Sequence, residues 1–284
     1  MFEKLSEAIA RMGNPTVMGL DPRLEYVPAF LREGKTPAEA IYAFNCGLID
    51  CAADLVPAVK PQAAYYELLG VEGIDVLYRT MRYARQAGMV VILDAKRGDI
   101  GPTASAYAEA YLGPEGPADA LTVNGYLGSD GVLPFLNCAK ENDRGVFVLV
   151  KTSNPSSSEL QDLDCGGEPV YRRMAGLVKK WGEDCGVGAD GYTPCGAVIG
   201  ATHPKQLAEL RQYMPQTFFL VPGYGAQGGK AADILPAFDR KGGGVIVNSS
   251  RGLMCAYKKF GDGLDYKERT RDAILAMRAE LTGR

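Results

Sequence analysis

Met89-Val90-Val91-Ile92-Leu93-Asp94-Ala95-Lys96-Arg97-Gly98-Asp99 is the stretch that decides the fold. An apolar run that closes in charges reads as a buried parallel strand whose last residues emerge at the carboxyl end of a sheet, where α/β proteins place their chemistry. Side chains alternate along a strand, so Asp94 and Lys96 are expected to share a face. Asp99, beyond Gly98, belongs to the following loop.

Seven further apolar runs surround this one, at 16–21, 55–61, 120–124, 145–153, 196–202, 217–225 and 244–251. Each is followed by turn residues or charges, and most then by an amphipathic stretch, the clearest being 37–54, 74–87, 103–112, 170–185, 204–213 and 267–281. Strands alternating with helices argue for a parallel sheet. Eight of them without a long linker fit a closed (β/α)8 TIM barrel, which typically takes ~250 residues as one domain, better than an open doubly wound sheet. The expectation is therefore a single α/β barrel domain over 1–284. Its longest gap between strands, 154–194, carries Ser156-Ser157-Ser158 and Gly166-Gly167 and reads as a loop and helix suited to a lid.

Composition narrows the chemistry. The chain has 31 Lys and Arg against 34 Asp and Glu, a formal charge of −3, which leaves no electrostatic footprint for nucleic acid or an anionic membrane. Seven cysteines, an odd number without close-set pairs, read as buried free thiols in a reducing compartment. The first residues place Glu3 and Lys4 inside a helical stripe, unlike a signal peptide, and no long apolar run occurs, so a cytoplasmic protein is expected. The single histidine, His203, leaves His-rich metal sites and Ser-His-Asp or Cys-His constellations little to draw on. Chemistry here must run on carboxylates and amines.

Polar residues collect at the strand ends: Asp21 on the first, Lys60 on the second, Asp94 and Lys96 on the third, Asn124 on the fourth, and Lys151, Thr152 and Ser153 on the fifth. A structural Lys60–Asp94 salt bridge is one reading. Charges at several strand ends favour a functional network, because each buried ion is costly unless paired and hydrogen-bonded. After the seventh strand comes Pro222-Gly223-Tyr224-Gly225-Ala226-Gln227-Gly228-Gly229, and after the eighth Asn248-Ser249-Ser250-Arg251-Gly252. Loops at these positions of a barrel frequently bind phosphate through backbone N–H groups, and Arg251 adds a bidentate cation. His203, before Pro204, reads as a helix start, Trp181 as core, and Gly242-Gly243-Gly244 as a tight backbone approach.

These segments together resemble the orotidine 5′-phosphate decarboxylase family. The resemblance rests on Leu93 to Thr103 with its Asp-x-Lys-x-x-Asp signature, and on Gly19-Leu20-Asp21, Val59-Lys60-Pro61, Val150 to Pro155, the Pro222 to Gly229 loop and Ser250-Arg251. It spans nearly the whole chain and is similar to the longer bacterial-type branch. It implies a homodimer without metal or cofactor that converts orotidine monophosphate to UMP and CO2 in de novo pyrimidine synthesis. By that resemblance Lys60, Asp94, Lys96 and Asp99 form the family's alternating tetrad, Asp99 entering the partner subunit's site. Asp21 and Thr103 bind ribose hydroxyls, Thr103 again across the dimer. Ser153 meets the pyrimidine, Pro222 lines the base pocket, and Gln227 and Arg251 hold the phosphate. Two alternatives stay open: a Mg²⁺-dependent sugar-phosphate decarboxylase or synthase with the same third strand, and a catalytically silent nucleotide-binding barrel. The metal-dependent relatives want an extra acid where this chain has Lys60.

Overall fold

Strand β3 (Val90–Arg97) is buried from Val90 through Asp94, as an apolar strand of a parallel sheet should be. The computed structural model describes residues 1–225 and 228–283. Before β3 come α1 (Phe2–Met12), β1 (Thr16–Leu20), α2 (Ala29–Arg32), α3 (Pro37–Ala52), β2 (Ala58–Pro61), α4 (Ala63–Glu67) and α5 (Gly70–Gln86). After it follow α6 (Gly101–Leu112), β4 (Ala120–Val123), α7 (Ser129–Glu141), β5 (Gly145–Lys151), α8 (Val170–Cys185), β6 (Cys195–Ile199) and α9 (Pro204–Tyr213). The chain ends with β7 (Phe219–Val221), α10 (Ala231–Ile234), β8 (Val245–Ser249), α11 (Arg251–Met254) and α12 (Tyr266–Thr282). The strands pair in the order β1 to β8 and close into a barrel, with parallel registers such as Gly19↔Lys60 and Val59↔Val91. The expected α/β barrel is the fold.

By contacts the chain falls into two units, Met1–Glu7 with Lys96–Val247, and Ala8–Ala95 with Asn248–Arg284. In the first, Phe2 of α1 stacks on Phe218 and meets Phe147 edge-on, both at 5.1 Å between ring centroids. In the second, α3 begins with a reciprocal cap: Glu39 N donates to Thr36 Oγ1 at 3.3 Å and Thr36 N to Glu39 Oε2 at 2.8 Å, with Pro37 next in the chain. Asn45 of α3 donates to Tyr66 Oη and Thr80 Oγ1 and so joins α4 and α5 inside the same unit.

Two elements differ from the sequence expectation. Helix α7 was not anticipated, because Gly131 and Pro134 interrupt it; its buried Val132, Phe135, Leu136 and Ala139 nonetheless follow a helical stripe. Strand β7 is shorter than the run 217–225, since Pro222 lacks the N–H needed to extend the ladder. The cysteines also need correction. All are free thiols, but only Cys51 and Cys195 are buried, and Cys165 is exposed on the segment after β5. His203 does stand at the N-cap of α9, although its side chain makes no cap bond. Trp181 is core, donating its Nε1–H to Ser129 Oγ at 3.0 Å. Gly244, with φ 72°, packs so closely on the Tyr192 ring that a Cβ would come within 2.9 Å of it.

Arg211 of α9 ties this amino-terminal side of the first unit together. It is 7% exposed and lies over the Phe219 ring at 3.7 Å. Its guanidinium donates to four backbone carbonyls, those of Ala237 (2.6 Å), Met214 (3.2 Å), Thr217 (2.9 Å) and Gly244 (2.7 Å). Burial lowers its pKa to about 10, which still leaves it charged at neutral pH. Arg211→Met strands these carbonyls without donors and should cost about 3 kcal/mol or more in urea unfolding. Arg211→Lys should recover little, because an ammonium cannot reproduce the planar fork. A loss below about 1 kcal/mol for the Met variant would show that the carbonyls do not depend on Arg211.

Candidate active site

Lys60 of β2 is 3% exposed, and its Nζ donates to Asp94 Oδ2 at 2.8 Å. Burial alone would lower its pKa, but the carboxylates of Asp94 and then Asp21 outweigh it, so the net shift is upward. The sign follows from that direction. The stabilisation is fully present below the ordinary lysine value of about 10.4 and is lost only as pH rises through the higher folded value. Lys60 is therefore charged throughout the neutral range.

The same unit holds Asp21 at the end of β1 and Asn248 on β8. Asp21 Oδ1 and Asn248 Oδ1 are both buried and accept no hydrogen bond among the described groups. Asp21 donates its backbone N–H to Met254 Sδ at 3.3 Å, and Asn248 Nδ2 donates to Ser250 Oγ at 3.3 Å. A Cβ at Gly19 would collide with Ser250 Oγ, so this position requires glycine for close approach. Two buried acceptors without donors suit a ligand bearing hydroxyl or N–H groups. Arg251 opens α11, exposed.

In the other unit the end of β3 departs from a plain strand. Lys96 is a non-glycine residue with φ 49°, a conformation that costs about 1–3 kcal/mol and concentrates at functional sites. Its N–H is held by Thr122 Oγ1 of β4 at 2.9 Å. The turn interrupts the pleat. Strand alternation therefore does not set the direction of Lys96, which is exposed while Asp94 is buried. Asp99 is half-buried and accepts from Ile100 N at 2.8 Å. Gly101, with φ 53°, then starts α6, and Thr103 is exposed on its first turn.

Ser153 follows β5 and Pro222 follows β7, both half-buried. Gln227 lies outside the described residues. Three amides of the described part of the glycine-rich loop are bonded within the loop. Gly225 N donates to Gly229 O, Gly228 N to Gly225 O and Gly229 N to Gly223 O, at 2.8, 2.9 and 3.1 Å. Asn124 serves as a turn cap, its Oδ1 accepting from Tyr126 N at 3.0 Å. Asn248, quoted from the sequence only as the start of the stretch after the eighth strand, lies on β8 itself.

A closed parallel barrel with a buried lysine–aspartate pair, and a second lysine two residues beyond the aspartate on the same strand, defines a barrel enzyme built on amines and carboxylates. The family model described as Orotidine 5′-phosphate decarboxylase / HUMPS matches residues 18–259. The chain belongs to that family. It is 46% identical over 297 residues, 99% of this chain and 98% of the relative, to the orotidine 5′-phosphate decarboxylase of Rhodopirellula baltica. The Clostridium novyi enzyme of the same name is 38% identical, with 99% and 98% coverage. Among solved structures, Leishmania donovani OMP decarboxylase superposes with a TM-score of 0.77 at 34% identity, covering 98% of each chain. Leishmania donovani UMP synthase matches with a TM-score of 0.79 at 36% identity, covering 98% of this chain and 56% of that one.

The buried pair makes a thermodynamic prediction. Lys60→Met and Asp94→Asn each leave a buried group without its counter-charge and should cost about 3–5 kcal/mol. The double variant should lose less than the sum by at least about 1 kcal/mol, since the two residues share one interaction. Strict additivity in denaturant unfolding would show that the pair carries no coupling.

Proposed function

We propose that the chain is a carboxy-lyase that converts orotidine 5′-phosphate to UMP and CO2 in pyrimidine biosynthesis, without metal or cofactor. The observation that carries this reading is the buried pair of Lys60 on β2 and Asp94 on β3, with Lys96 two residues beyond Asp94 on β3. Relatives named for the activity, alike over nearly their whole length, support it. Lys60 also supports the metal-free form, because it stands where metal-dependent relatives of the barrel want an acid.

The chemistry suits these groups. When the C6–carboxylate bond breaks, CO2 departs and the electron pair stays on C6, with no conjugated carbonyl to absorb it. The Lys96 ammonium stabilises that charge and then donates its proton to C6, leaving a neutral amine that is reprotonated from water. Asp94 opposes the substrate carboxylate, a repulsion that ends as CO2 leaves. Lys60, bonded to Asp94 Oδ2, keeps that carboxylate aimed. Asp21, whose Oδ1 lacks a donor, takes a ribose hydroxyl, and Ser153 takes the pyrimidine beside Pro222. Gln227 and Arg251 bind the phosphate, which holds the nucleotide far from the breaking bond, so that binding energy is expressed in the rate. Asp99 and Thr103 serve the partner subunit's site in a homodimer.

The whole chain acts as one barrel domain, with 154–194 covering its mouth, in the cytoplasm. Among the described residues no helix is long and apolar enough to cross a membrane.

Arg251→Ala should lower kcat/KM for orotidine 5′-phosphate by roughly a hundredfold or more, the effect of losing a charged contact of a few kcal/mol, and barely change turnover of unphosphorylated orotidine. Equal losses on both substrates would remove the phosphate role. Lys96→Ala and Asp99→Ala, each inactive alone, should regain about a quarter of wild-type CO2 release when mixed equally, because half the dimers are then mixed and each has one intact site. No recovery, with subunit exchange verified by mass spectrometry, would return Asp99 to its own chain's site.

A further inference from the structure

Lys151, at the end of β5, takes no part in the reaction as derived, yet its side chain is completely buried. The register between β5 and β6 shifts between Leu149 and Lys151, an irregularity of the kind that re-aims a side chain. Lys151 Nζ donates to Asp162 Oδ1 at 2.7 Å and to Ser157 Oγ at 3.2 Å, with the Tyr171 ring centroid 5.8 Å away. Both bonded partners lie in the segment that follows the strand, so the buried charge tethers that segment back onto the strand end.

Other bonds converge on the two peptides between them. Gln161 Oε1 accepts from Thr152 N at 2.9 Å, and Gln161 Nε2 donates to Thr152 Oγ1 at 2.7 Å. His203 Nε2 lies 3.1 Å from Thr152 O and 3.4 Å from Ser157 Oγ. A carbonyl only accepts, so the ring carries its proton on Nε2. Burial, and then the charge of Lys151, hold the His203 pKa below its ordinary value, which keeps the ring neutral at pH 7. Thr202 Oγ1 donates to Ser153 O at 3.2 Å. A Cβ on Gly200 would approach Ser153 Cα to 2.7 Å, so this glycine too closes on the serine.

We propose that Lys151 is a positioning residue: with Asp162, Ser157 and Gln161 it fixes the Thr152–Ser153 peptides so that the Ser153 hydroxyl meets the pyrimidine of the nucleotide. The inference rests on the reading of Ser153 as the base-binding serine. Lys151 itself does not touch substrate, since its donors are turned into the segment 157–162.

The test is a mutant cycle read in KM and kcat for orotidine 5′-phosphate and in Kd for UMP, on protein verified as folded by thermal melting. Ser153→Ala, Lys151→Met and Gln161→Ala should each weaken nucleotide binding, Ser153→Ala and Lys151→Met by about tenfold, the value of one hydrogen bond. The double variants Lys151→Met/Ser153→Ala and Gln161→Ala/Ser153→Ala should be no worse than Ser153→Ala alone, because the tether acts through that hydroxyl. A purely structural lysine would lower the melting temperature and leave KM and Kd at wild-type values, and that result overturns the proposal. So do losses that multiply in the doubles. If Lys151→Met fails to fold, Gln161→Ala and its double decide by the same criteria. Wild-type binding by Ser153→Ala would instead overturn the reading of Ser153, and the proposal with it.

Discussion

The 2.8 Å ion pair between Lys60 and Asp94 is the constraint on which the rest of the site depends. Neither charge is tolerable in a barrel interior by itself, and each is stable there because the other stands on the neighbouring strand. The Val59↔Val91 register of β2 on β3 is what brings them within reach, so the sheet and the pair specify one another. The pair also holds its lysine charged against burial: the carboxylates of Asp94 and Asp21 outweigh the desolvation that would strip the proton from Lys60. Charge that is already in place when substrate arrives needs no reorganisation during the reaction, which is how fixed amines stabilise a developing carbanion.

Local strain follows two residues after Asp94 in the chain. Lys96 occupies a left-handed conformation, fixed by Thr122 Oγ1 on its amide, immediately beyond the buried part of β3. Such a conformation persists only where its surroundings over-determine it. The buried acceptors of Asp21 and Asn248 are a second unfinished feature, and a nucleotide sugar carries the donors that would complete them. At Arg211 the charge serves stability, its guanidinium donating to four backbone carbonyls over the Phe219 ring.

Much of this was legible in the sequence because parallel strands buried on both faces read as apolar runs, and their ends as abrupt charges. Lys60, Asp94 and Lys96 stood out for that reason, and the bounds of α8 and α9 coincide with their amphipathic stretches. Helix α7 was hidden by Gly131 and Pro134, whose low propensity is overridden by the burial of Phe135 and Leu136. The face shared by Asp94 and Lys96 was inferred from a pleat that the positive φ at Lys96 interrupts, a backbone feature that a lysine does not announce. The glycine loop after β7 announced a source of backbone N–H groups, but not that Gly225, Gly228 and Gly229 would donate to carbonyls of the same loop. The Lys151 cluster draws its parts from β5, the segment behind it and the start of α9, and no local pattern links them.

In the proposed reaction the amine of Lys96 stabilises the charge left at C6 and returns a proton there. Turnover of orotidine 5′-phosphate in D2O containing EDTA, followed by NMR of the product, tests it most directly. The wild-type chain should release CO2 undiminished with deuterium at C6 of every UMP formed, and Lys96→Ala should give no product although UMP still binds. Turnover by Lys96→Ala within tenfold of wild type, or activity that disappears with the chelator, would contradict it.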